Sequence, residues 1–222
     1  MNIAKNRLVT ASMMDAIDWL HNCPSSWKEK ARKSLRDQLA RDYTEPMGEA
    51  LKLGIKFEDA VYTQARLASV RKALGSEHFE WFVAECTGGL FQKVDKIYAE
   101  IDGTEYCLYC KYDVWFPGQI KDIKTTSNWK GPWHYLERFQ HKLYAHVSGI
   151  NQFRYLVAEF EPKLEGSDKQ PSVAAHHAVD WTCTDRTALA DEVLEGVRDA
   201  VNFLKKDDEL FDLYINKFSR GR

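Results

Sequence analysis

Residues 90–126 constrain the fold more than any other part of the chain. Residues 90–101 and 104–116 are rich in Tyr, Val, Ile and Phe, which fit a pleated, half-buried surface. Asp102-Gly103 between them accepts the backbone of a tight hairpin turn. Pro117-Gly118 makes a second turn, into Gln119-Ile120-Lys121-Asp122-Ile123-Lys124-Thr125-Thr126. Turns this short join antiparallel neighbours, so three consecutive strands form a meander. Strand character is read from Phe79 onward.

Helices are expected on both sides of this meander. Met13, Met14, Ile17 and Leu20 repeat at helical spacing behind a capping Thr10 or Ser12. Cys23-Pro24-Ser25-Ser26 breaks that helix, and a second runs from Trp27 to Tyr43. Its Lys28, Lys30, Arg32, Lys33, Arg36 and Arg41 read first as a solvated face, and alternatively as a phosphate-facing surface. Pro46 opens a long helix to about Leu74, ended by Gly75, with Leu53, Phe57, Ala60, Gln64 and Leu67 near one stripe and Glu58 at its border. A further helix spans Pro132 to Ser148 and stops at Gly149. Residues 152–160 are a fourth strand, 162–172 a loop and 173–182 a fifth strand, and 185–217 are helical throughout. The layout is α/β: one central mixed sheet with an antiparallel meander, flanked by helices, in a single domain of 222 residues.

Charge and cysteine usage narrow the function. Lys plus Arg is 31 and Asp plus Glu is 33, a net charge of -2, which excludes coating of nucleic acid by bulk charge. Any such contact needs a local patch. No apolar run reaches the ~20 residues of a membrane span, and Lys5, Arg7, Asp15 and Asp18 interrupt any leader-like character at the N-terminus. The chain is therefore expected to work away from membranes. Five scattered cysteines read as reduced thiols of a cytoplasmic protein. Cys107 and Cys110 have CxxC spacing, but alternation along a strand turns them apart. The same holds for the adjacent His176 and His177, which cannot share a metal as strand neighbours. His134 and His141, seven apart on one expected helix, supply only two ligands. Walker, Rossmann and nucleophile-elbow signatures are absent from the sequence.

The chemistry concentrates around the second turn. Asp113 lies near the end of one strand and Asp122 follows the turn, so their side chains can meet across the hairpin. Asp122 and Lys124 share a strand face. Two close carboxylates repel unless a cation neutralises them, and a hard divalent ion such as Mg²⁺ does so. Lys124 beside it would orient a water or stabilise developing negative charge. An acid-x-Lys triplet is weak by itself: about three are expected by chance in this composition. Strand placement, the tight turn and Asp113 give this one its weight, against the alternative of a surface ion pair across two strands. Gln140-His141-Lys142-Leu143-Tyr144 adds a Gln and a Tyr four apart on one helix face. Trp129, Lys130, Trp133, Arg138 and Lys142 mix rings with cations, the blend of a single-strand groove, although the rings also suit a core.

Taken together these parts resemble the PD-(D/E)xK nuclease superfamily in its RecB-like and phage (lambda-type) exonuclease branch. That pattern has a helix bearing Glu, a meander bearing Asp and (Asp/Glu)-x-Lys, then a helix bearing Gln-x-x-x-Tyr. The matching residues are Glu58, Asp113, Asp122, Lys124, Gln140 and Tyr144, within a resemblance covering about residues 10–160. Tyr112 replaces the proline of the family pattern. The resemblance implies a restriction-endonuclease-like core at about residues 46–160, with helical segments 10–43 and 185–217 outside it. It implies a metal-dependent deoxyribonuclease, an exonuclease of phage-type recombination, replication or repair. Asp113, Asp122 and the Ile123 carbonyl would ligate Mg²⁺ or Mn²⁺, with Glu58 completing the set directly or through water. Lys124 would activate or position water, and Gln140 and Tyr144 would hold the scissile phosphate or the strand end. DNA, as duplex ends or single strands, is the expected partner, contacted by Lys130, Trp133, Arg138 and Lys142. The resemblance also admits a homo-oligomer, a single-strand annealing or recombination partner, and a host cytoplasm if the chain is phage-encoded. An iron–sulfur cluster, which some relatives carry, is not expected, because only Cys183 follows the core. Two rivals stand beside this reading. One is a structure- or site-specific endonuclease on the same core. The other is a non-catalytic nucleic-acid-binding protein that kept the fold.

Overall fold

The computed structural model describes residues 7–42, 48–67, 77–161 and 172–220. Its elements follow the order β1 (Arg7–Thr10), α1 (Ala11–Asn22), α2 (Lys28–Ala40), α3 (Glu49–Leu67), α4 (Glu77–Cys86), β2 (Leu90–Ile101), β3 (Thr104–Phe116) and β4 (Gln119–Thr126). Then come α5 (Trp133–Leu136), α6 (Gln140–Ser148), β5 (Gln152–Phe160), β6 (Val173–Thr182), α7 (Arg186–Leu204) and α8 (Asp208–Asn216). Among the described residues, six strands form one mixed sheet in the order β1-β3-β4-β5-β6, with β2 also paired to β3. The meander β2-β3-β4 is antiparallel as expected. Parallel pairing of β1 with β3 and of β4 with β5 makes the sheet mixed. Helices cover it, so the α/β architecture read from the sequence is the observed one.

Two apolar clusters pack against the sheet. The larger joins α1, α2, α6, α7 and α8 to it through Met13, Leu35, Leu143, Val193 and Tyr214. The smaller sits under α3 and α4 and holds Phe57, Val61, Phe82, Val114, Ile123 and Leu156. Burying one such side chain contributes about 1.5–3 kcal/mol. All five cysteines are buried free thiols, and Cys107 and Cys110 both belong to the larger cluster. Among the described residues, no helix is long and apolar enough to cross a membrane.

Several boundaries differ from expectation. β1 escapes the sequence because four residues carry too little periodicity. Residues 77–86, read as strand from Phe79, form helix α4. Their aromatics imitate a strand, but Phe82, Val83 and Cys86 are buried at helical spacing and two acids occupy the first turn. The buried stripe of α3 is Phe57, Val61, Tyr62 and Ala65, displaced from the expected one. Residues 132–148 make two helices, not one, so His134 and His141 share no helix. Residues 185–217 also break, and Asp207 caps α8 by accepting the Leu210 amide. The basic face of α2 is engaged locally: Arg32 pairs with Asp207 and Glu209, and Lys33 with Asp37. Tyr43, Pro46, the segment from 68 to Gly75 and most of the expected loop 162–172 lie outside the described residues.

Candidate active site

The site begins where β3 and β4 part. Their ladder holds only from Phe116↔Gln119 to Val114↔Lys121. Just beyond it, the Ile123 amide donates to the Asp113 carboxylate (2.9 Å to Oδ2) instead of to a ladder carbonyl. On the other side of β3, Gln92 stands in register with Asp113 but the pair is skipped, and Gln92 has a left-handed φ of 57°. Side chains of β3 change face here: Tyr112 belongs to the larger cluster and Val114 to the smaller. Such irregularities re-aim a side chain out of the regular ladder. They set Asp113 beside Asp122.

Asp122 is 1% exposed. Gln140, the first residue of α6, donates Nε2 to its Oδ1 across 2.5 Å. Its Oδ2 lies 2.5 Å from Lys124 Nζ, so the ammonium is the charged partner of this buried oxygen. Burial, then the charge of Asp122, holds Asp113 well above the usual carboxylate range. Burial works to lower the Lys124 ammonium, but Asp122 and Asp113 outweigh it and hold the group raised. A carboxylate pair, Asp122 buried and Asp113 half-buried, with one amine between them is a cluster short of positive charge.

Glu58 approaches from α3. A Cβ on Gly54 would stand 3.0 Å from Thr125 Oγ1, so the glycine lets this helix ride close to β4. One turn on, the Glu58 carboxylate accepts the Tyr62 hydroxyl, which itself accepts Gln92 Nε2 at 2.8 Å. Burial first, then Asp113 and Glu58, push the Tyr62 hydroxyl up. Glu58 thus stands within electrostatic reach of Asp113. It does not join the two aspartates around one point, since the described residues hold no cage of three or more His, Cys, Asp or Glu.

A cleft of about 390 Å³ opens beside Lys124, lined by Lys111, Arg138, Gln140, Tyr144 and Asp15. Tyr144 donates to the Lys111 carbonyl at 2.9 Å, tying α6 to β3. Gln140 and Tyr144 are therefore both engaged with groups of the protein itself. Arg138 lies over the Tyr135 ring and bonds the His134 carbonyl at 3.2 Å. Lys130 is exposed and Trp133 is 66% exposed. Lys142 is set apart, paired with Glu192 of α7 at 2.6 Å. A larger cavity of about 720 Å³ lies beyond Asp15, lined by Met14, Ile17, Phe139 and Phe203. It does not reach Lys124, which the smaller cleft does.

Asp15, Tyr62, Gln92 and Lys111 were not among the expected site residues. Tyr62 lies four residues after Glu58, a legible helical pairing. Asp15 accepts the Phe139 amide at 3.2 Å from 124 residues away, and a contact of that separation leaves no local pattern.

No family model and no curated protein matches this sequence. Solved structures do match. A protein described as SSO0001 aligns at TM-score 0.50 and 10% identity, over 89% of this chain and 76% of its own. The alkaline exonuclease LHK-Exo from Laribacter hongkongensis aligns at TM-score 0.46 and 12% identity, over 92% and 90%. A phage related exonuclease from Haemophilus somnus 129PT aligns at 0.43 and 15% identity, over 84% and 91%. The first of these shows a shared fold.

Proposed function

We propose that the chain is a metal-dependent deoxyribonuclease acting from DNA ends, with Asp113, Asp122 and Lys124 at its centre. The observation that carries this reading is the buried Asp122, with a second carboxylate at Asp113 close enough to be held up by its charge and with Lys124 as the ammonium that faces both. Two acids suit Mg²⁺ or Mn²⁺, which bind through one or two protein carboxylates and keep water and substrate phosphate as other ligands. Asp113 and Asp122, with the Ile123 carbonyl, would hold the ion, and Glu58 would act through water. When bound, such an ion neutralises the carboxylates and polarises the phosphate.

The remaining roles belong to the chain's own groups. Lys124 donates to the attacking water or to a phosphate oxygen as negative charge develops. Gln140 keeps Asp122 in one orientation, and Tyr144 fixes α6 against β3. Lys111 and Arg138 give the cleft a local positive field in a chain of net charge -2. Lys130 and the exposed Trp133 would hold the strand by charge and base stacking. Lys142, taken by Glu192, is left out of this surface.

A time course on end-labelled linear duplex and single strands, with and without Mg²⁺, tests the reading. Metal-dependent product is expected from the wild type and none from Asp122→Ala or Lys124→Ala. Covalently closed circles should remain intact. Full activity in either variant overturns the site, and cutting of the circle alone overturns the exonuclease.

A further inference from the structure

The two adjacent histidines of β6 point to opposite faces, but each finds a partner on another element. His177 bonds Glu159 at 3.0 Å and stacks on Trp129. His176 meets His78 of α4, with their Nδ1 atoms 2.9 Å apart. Trp81, one turn beyond His78, stacks on the His176 ring at 4.3 Å and 17°. Both histidines are half-buried, so water and ions reach them.

We propose that His78 and His176 form a two-histidine clip for a divalent transition ion of the Cu²⁺ or Ni²⁺ class, joining α4 to the edge strand β6. Imidazole is the side chain these ions prefer, in contrast to the hard-oxygen cluster at Asp113 and Asp122. Among first-row divalent ions the affinity of nitrogen ligands rises through Ni²⁺ to Cu²⁺, so a site with two imidazoles and water favours these ions. In the ion-free pair, one Nδ1–H donates to the other ring. Binding needs that proton only to move to Nε2 of its own ring, so both Nδ1 lone pairs are freed without ionising either group. Trp81 keeps His176 in place, and rotation of the His78 ring aims both lone pairs at one point. Glu77, next to His78, puts a negative charge within reach of His176, and the remaining positions about the ion are left to water. The clip would fasten the helical layer that carries Glu58 and Tyr62 to the sheet.

The test is titration of tag-free protein with CuSO₄ or NiCl₂, followed by tryptophan fluorescence and thermal unfolding. Trp81, stacked on a ligand, should be quenched saturably at one equivalent, and Tm should rise. His78→Ala and His176→Ala should each weaken binding by about 10-fold or more, whereas His177→Ala should bind as the wild type. His78→Gln keeps a hydrogen-bonding side chain without the imidazole and should fail like the alanine variant, which separates coordination from packing. Wild-type protein without a saturable site, or a His78 variant that binds as tightly as the wild type, overturns the proposal.

Discussion

Gln140 opens helix α6 and spends its side-chain amide on Asp122, 2.5 Å away in the middle of the sheet. A helix on the outer layer thereby fixes the rotamer of a buried acid on the inner one. Gln140→Ala should cost about 1–3 kcal/mol by leaving a buried carboxylate oxygen without its donor. Urea unfolding reads the loss. An unchanged midpoint would show that Asp122 finds another donor.

Asp15 supports the same helix from α1. Phe139, the residue before α6, has no side-chain cap of its own, and Asp15 accepts its amide instead. The ring of Phe139 is seated at Gly196, where a Cβ would stand 2.6 Å from it. Asp15→Ala should cost about 0.5–2 kcal/mol, the usual worth of a cap, and should lower kcat more than it raises KM for DNA. Asp15→Asn keeps an acceptor and should retain most of both. Equal behaviour of the two variants would remove Asp15 from this role.

Asp113 predicts a stability that falls with alkali in metal-free protein. Its folded pKa is raised by burial and by Asp122, so the fold favours the protonated form. The stability it contributes is present below the unfolded value of about 4 and is lost as pH rises through the folded value. Asp113→Asn should flatten that decline and raise Tm at neutral pH in EDTA. Mg²⁺ should raise Tm of the wild type and not of the variant. Melting curves from about pH 4 to 8 decide it. A variant less stable than the wild type at neutral pH would contradict the account.

His141 acts with the opposite sign. It is fully buried, its Nδ1 is 3.1 Å from the Tyr155 hydroxyl, and burial pushes it down to about 3. Its contribution is present above the unfolded value of about 6.5 and is lost as pH falls towards the folded one. His141→Gln should reduce the loss of Tm on acidification over that range. An identical acid limb in both proteins would exclude His141 as its source.

The meander and its two turns were legible because period-2 patterning and the Asp-Gly and Pro-Gly pairs are local signals. Residues 90–101, 104–116 and 119–126 are strands β2, β3 and β4 at the bounds the sequence suggests. Strand β1 and the break at 137–139 were not legible. The first is specified by partners near residue 107. The second is held by Asp15 and by packing at Gly196, neither of which leaves a periodic trace. Within the site, the face shared by Asp122 and Lys124 follows from strand alternation. The orientation of Asp113 does not, since it depends on the skipped pair at Gln92. Lys142 marks the limit of composition as a guide: its charge suits a DNA surface, but α7 supplies Glu192 to take it.

The central claim is that Asp113 and Asp122 share a divalent cation. Crystals grown with Mn²⁺ and measured at its absorption edge test this most directly. The account predicts an anomalous peak bonded to an Asp122 oxygen and an Asp113 oxygen in the wild type, absent from Asp122→Asn. A wild-type map with no peak between those carboxylates, at a manganese concentration that supports DNA cleavage, would contradict it.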